Sequence, residues 1–174
     1  MKMQKQLIVI IATFIVGTFQ LDAQTKSVVE KRIGNTVYEL DTVHYIIKNK
    51  ANKIQDQEVG SNFIANFDGS KQAHKVWMEH FKPLFSKERA EKLNVRILIC
   101  LKSDSIGQVQ EVEIHFRNRE NIEKFTQDEI RAIEDTAKKY RFKVLSWDGG
   151  ERGKKYFKYY YFLNPYLIYF EKQK

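Results

Sequence analysis

Few side chains in this sequence have catalytic chemistry to offer, and they are scattered. The histidines are His44, His74, His80 and His115. His74 and His80 stand six apart, about 240° around a helix, so they do not share a face. No H-E-x-x-H occurs. With Cys100 as the sole cysteine, no C-x-x-C is possible, so no zinc site built on local spacing is expected. Glu111, Glu113 and His115 alternate and would share one face of a strand. Two carboxylates beside an imidazole can do acid–base work, but an alternating charged face is also the ordinary wet side of a hairpin. Cys100 lies in the apolar run Val95–Leu101 and reads as a small buried hydrophobe rather than a nucleophile. There is no G-x-S-x-G elbow, Walker loop or dinucleotide fingerprint. Asp148, Gly149, Gly150 and Gly153 lack the strand–loop–helix setting of a phosphate site and read as turn residues. The expectation is a non-catalytic protein without cofactor or metal. A hydrolase gathering His115 with two carboxylates is the enzymatic alternative.

Binding chemistry concentrates near the C-terminus. Lys154, Lys155 and Lys158 interleave with Tyr156, Phe157, Tyr159, Tyr160, Tyr161 and Phe162. Tyrosine faces beside lysines suit sugar rings, acidic glycans or a partner strand. The candidate binding surface is Lys154, Lys155, Tyr156, Lys158, Tyr159 and Tyr161. Strand periodicity would bury one face of this segment in a core.

The elements that must position these groups follow from local pattern. Thr36–Leu40 and Thr42–Ile47 are rich in β-branched and aromatic residues and read as strands. Lys48 to Gly60 is polar and reads as loop. Asp68-Gly69 marks a turn, with Ser70 as cap of a helix bearing Ala73, Trp77, His80 or Phe81, and Leu84 on one face. Ser86 is placed to cap a second short helix. Val95–Leu101 reads as a strand covered on both faces. In the return strand Val112, Ile114 and Phe116 share a face, and Val109 is out of phase with them, which predicts a bulge near Gln110 or an early strand end there. Thr126-Gln127-Asp128-Glu129 is a capping box, with Phe125 and Ile130 as staple and Ile130, Ile133, Ala137 and Tyr140 as buried stripe. Lys154–Leu163 reads as an aromatic strand. Asn164-Pro165 interrupts it before Tyr166–Phe170 resumes.

Lys2 and Lys5 precede an apolar run from Leu7 to Phe19, then Leu21-Asp22-Ala23. This is the order of a secretory signal peptide cut after Ala23; the run is short for a membrane span. Export to the periplasm or the medium is expected, without lipid tether or internal disulfide. The 174-residue chain carries a formal charge of +8, of which the expected leader contributes one. That excess suits solubility or an acidic partner. The compartment disfavours nucleic acid.

From Val95 onward the order is hairpin, capped helix, glycine-containing turn and final aromatic strand. It resembles the C-terminal domain of TonB and similar secreted domains. Asp104 with Gly107, Tyr140-Arg141-Phe142 before Gly149-Gly150, and Tyr169-Phe170 at the end carry the resemblance. It implies shared architecture. With the leader expected to be cut and no proline-rich linker in the sequence, the resemblance does not imply energy transduction.

The expectation is therefore an α+β fold, a twisted and mainly antiparallel sheet with helices on one face. The organisation reads as 1–23 leader, 24–66 strand region and 67–174 α+β region, with 24–174 as one unit. The expected function is protein–protein contact in the cell envelope through an exposed sheet edge near the C-terminal strand. Glycan or polyanion binding is the alternative.

Overall fold

Strand pairing begins in the middle of the chain, where β6 (Ile97–Asp104) and β7 (Val109–His115) form an antiparallel hairpin. The computed structural model describes residues 27–60, 63–65, 71–142, 144–147 and 154–170. The expected leader, the Ser70 cap and the glycine turn after Trp147 lie outside them. Lys102 pairs with Glu111, yet Ser103 pairs with Val109. Gln110 is the extra residue that the phase of Val109 requires, so Val109, Val112 and Ile114 all reach the core. Asp104 fixes the connecting turn, its carboxylate accepting from the amides of Ile106 and Gln108 at 3.1 and 2.9 Å. Gly107 sits at φ 84° against the Phe142 carbonyl, where a Cβ would overlap that oxygen.

The hairpin is extended on both sides. β1 (Val28–Ile33), β2 (Thr36–Asp41) and β3 (Ile46–Asn49) form an antiparallel meander beside β7. On the other side β9 (Tyr156–Leu163) runs antiparallel to β6, and the short β4 (Val59–Gly60) runs parallel to the start of β9. The order across the sheet is β1-β2-β3-β7-β6-β9-β4. β5 (Phe63–Ala65) and β8 (Val144–Trp147) pair separately.

Thr42–Ile47 is not one strand. The Asp41 carboxylate accepts from the Val43 and His44 amides at 2.8 and 3.0 Å, folding residues 41–45 into a turn that Tyr45 leaves at φ 57°. β3 starts only afterwards.

The helices are α1 (Lys71–Phe81), α2 (Lys87–Lys92), α3 (Arg119–Glu123), α4 (Gln127–Lys139) and α5 (Pro165–Phe170). The capping box of α4 is complete: Thr126 Oγ1 accepts from the Glu129 amide at 3.1 Å, and Glu129 Oε2 accepts from the Thr126 amide at 2.8 Å. Ser86 caps α2 by accepting from the Arg89 amide. Arg89 then forks onto Glu129 at 2.6 and 2.7 Å, tying α2 to the start of α4. Tyr166–Phe170 is helical, not a resumed strand. Asn164 Oδ1 accepts from the Tyr166 amide, and Pro165 takes the first helical position, where its missing N–H costs nothing.

Helices and sheet enclose Trp77, Phe81, Ile99, Leu101, Ile133 and Leu163, all essentially inaccessible to solvent. A Cys100-centred stripe faces the other way.

Candidate functional sites on the sheet

Alternation along β6, β7 and β9 leaves Cys100, Lys102, Glu111, Glu113, His115, Lys158 and Tyr160 on the face opposite the core residues Ile99, Leu101, Val112, Ile114 and Phe157. Register aligns them in rows. Lys48, Glu113, Cys100 and Tyr160 cross the sheet in one row; Glu111, Lys102 and Lys158 form the next.

This face is not simply wet. The segment 50–58, expected as loop, is held over it. The Glu111 carboxylate accepts from the Lys53 and Ile54 amides, and the Lys102 ammonium donates to the Ile54 carbonyl at 3.0 Å. Lys102 is only 5% exposed and Glu111 6%. Such burial is tolerable only with partners. Lys102 Nζ lies 3.4 Å from Glu113, 3.7 Å from Glu111 and 3.7 Å from Asp56. Lys158 reaches the same Asp56 at 3.7 Å.

His115 Nε2 lies 3.4 Å from Glu113 Oε2. The contact to His115 and the charge of Lys102 outweigh burial and hold the Glu113 carboxyl down at about 2. Burial first, and the charge of Glu113 second, push the Cys100 thiol up to about 12. A thiol so placed is a poor nucleophile. The imidazole and a carboxylate anticipated from the sequence do meet, beside the strapped Lys102 and a protonated thiol.

The six residues of the C-terminal candidate surface divide between the two faces. Tyr159 and Tyr161 turn toward the helices. Tyr159 stacks on Phe142 at 4.7 Å, and Tyr161 packs 4.7 Å from Trp77. Tyr156 and Lys158 face the other way, with the Lys158 ammonium 5.7 Å over the Tyr160 ring. Lys155 is exposed, and its amide donates to Glu58. Lys154 is half-buried. These six residues therefore do not form one surface. Tyr160 and Phe162, outside that set, are the exposed aromatics, with the Arg96 guanidinium 3.4 Å over Phe162.

The expected edge at β9 is covered by β4 only at the start of that strand. β9 is the penultimate strand, flanked by β4 at Tyr156 and Phe157. The full-length outer strand is β1. Val28 and Val29 on it are 41% and 49% exposed, and among the described residues no strand pairs with its outer side.

Beside β1, the sheet and the segment 122–130 face each other. A groove of about 550 Å³ opens there, lined by Ile33, Tyr38, Leu40, Ile122, Phe125 and Ile130, with Lys31 and Lys124 also on its wall. Its floor is braced from below. The Tyr38 hydroxyl donates to buried Glu134 at 2.5 Å, and Asn49 and Lys138 donate to the second carboxylate oxygen. Burial and the Glu134 charge raise the Tyr38 hydroxyl far above its ordinary value, so it stays a donor. Sequence pattern placed residues 24–66 in a strand region without picking out β1, and showed neither the groove nor the strap. Lys102, directly after the apolar run of β6, was the available signal for the strap.

The architecture defines an α+β protein with a mainly antiparallel sheet, and among the described residues no helix is long and apolar enough to cross a membrane. No family profile and no curated protein matches the chain. A solved structure of a DUF5043 family protein from Bacteroides uniformis ATCC 8492 is similar, with a TM-score of 0.57 at 20% identity over 80% of this chain and 92% of that one. At that identity the likeness shows the fold alone.

Proposed function

We propose that the protein is an exported, non-catalytic interaction module that captures an extended segment of a partner protein along β1. The observation that carries this reading is the exposed outer edge of β1 lying directly beside an apolar groove. An added strand gains main-chain hydrogen bonds from such an edge, and its alternate side chains gain specificity from a neighbouring pocket. Val29, Lys31 and Ile33 share the groove side of β1, while Val28, Glu30 and Arg32 share the other. The partner chemistry that fits is a strand with apolar residues toward the groove and carboxylates on its other face, toward Arg32. A TonB-like arrangement of the second half is part of this proposal. Its support is the order of hairpin, capped helix and last strand, with β9 returning beside β6.

The test is a panel of extended peptides alternating apolar with acidic or with basic residues, read by fluorescence anisotropy. Acidic peptides bind and weaken as salt rises; Lys31→Glu together with Arg32→Glu lowers their affinity at least about tenfold. Equal affinity for acidic and basic peptides, or no loss in the double variant, overturns the reading.

A further inference from the structure

The strapped face carries a second feature, independent of the β1 groove and on the opposite side of the sheet. Cys100 on β6 and Glu113 on β7 are cross-strand partners, and His115 is the next residue of β7 on the same face. A thiol, a carboxylate oxygen and an imidazole nitrogen here lie within 4.8 Å of one another.

The imidazole–carboxylate separation matches a shared ion. Two ligand atoms each about 2.0–2.1 Å from zinc at a tetrahedral angle stand about 3.3 Å apart. His115 Nε2 and Glu113 Oε2 are separated by 3.4 Å, long for a hydrogen bond. The two oxygens of Glu113 are divided between neighbours. Lys102 takes Oε1 at 3.4 Å, which leaves Oε2 turned to His115. A partner outside the ligand set that fixes a carboxylate in this way is a recurrent part of metal sites.

Charge agrees as well. Lys102 and Lys158 face three carboxylates, those of Asp56, Glu111 and Glu113. Around Cys100 and His115 these carboxylates outnumber the two ammonium groups, which favours a cation. A bound dication displaces the Cys100 thiol proton to solvent. Thiolate and imidazole together select a borderline-soft ion over calcium or magnesium.

We infer that Cys100, Glu113 and His115 form a zinc-type site for a divalent transition-metal ion, with a fourth position left for water. Glu113 and His115 are the partly exposed members, so the ion enters from their side.

Cobalt(II) replaces zinc as a visible probe. The full chain, freed of metal by chelator, is titrated with cobalt(II) and then with zinc(II). One equivalent of cobalt is expected to give thiolate-to-metal charge-transfer absorption and the intense visible bands of tetrahedral coordination, and zinc then displaces both. Cys100→Ser abolishes the charge-transfer band. His115→Gln and Glu113→Gln each lower zinc affinity at least about tenfold, while His44→Gln, at an exposed turn, changes nothing. Cobalt binding without thiolate absorption, or thiolate absorption indifferent to His115→Gln, overturns the inference. The His115 variant keeps the test decisive even where Cys100→Ser folds poorly.

Discussion

At the scale of single residues, the least replaceable is Gly107. Its backbone is left-handed, and Phe142 closes over it, donating its amide to the Gly107 carbonyl at 2.8 Å. Alanine there meets both a disfavoured φ, costing about 1–2 kcal/mol, and a backbone clash. Gly107→Ala is therefore expected to lower stability by more than about 2 kcal/mol, read as a fall in denaturant midpoint with an unchanged slope. An unchanged midpoint would show that the turn and Phe142 are not coupled. Ile133→Ala, in the centre of the α4 stripe, is expected to cost about 2–5 kcal/mol by the same assay, because the packed core around it relaxes only in part.

At the scale of elements, the Arg89–Glu129 fork joins two helices and completes a cap at once. Burial opposes ionisation of Glu129, but the Arg89 guanidinium and the Thr126 amide outweigh it and hold the carboxyl below its ordinary 4.5. A carboxyl depressed in the folded state adds stability above its unfolded value and loses it as pH falls through the folded one. Acid unfolding should therefore begin to draw on this pair below about pH 4.5. Glu129→Gln should be less stable at pH 7 by about 1 kcal/mol and show a shallower decline toward acid. Parallel pH profiles for the two proteins would contradict that role.

Local pattern made most of these elements legible. The α4 cap, the Ser86 cap and the extra residue at Gln110 each need only near neighbours in sequence, and each is present as expected. Two elements were misread because a polar side chain redirected the backbone. Asp41 turned an apparent strand, and Asn164 with Pro165 began a helix in an aromatic run. Strand order is a different matter. Nothing local in Tyr156–Leu163 tells that Val59–Gly60 will flank it, or that the outer position will fall to a charged segment starting at Val28. The candidate lysine–tyrosine residues divide between two faces for a simpler reason. A strand segment shows its alternate residues to opposite faces, and Tyr159 and Tyr161 fell on the core side. The strap over Lys102 and Glu111 depends on contacts across nearly fifty residues of chain, which periodicity does not reach.

At the scale of the whole molecule, the sheet separates two chemistries. The helix-covered side ends in an apolar groove at β1, and the far side holds a network of buried charge under residues 50–58. The proposed binding edge and the proposed metal site therefore stand on opposite faces, and loss of one should leave the other intact. His115→Gln should not alter peptide binding at β1, and Lys31→Glu should not alter cobalt spectra. The claim tested most directly is that β1 is the surface that receives a partner strand. Amide hydrogen exchange resolved by residue, with and without the acidic alternating peptide, decides it. Slowed exchange confined to Val28–Ile33 and the groove-lining residues is the expected result. Protection along Tyr156–Leu163 with β1 unchanged would contradict the account.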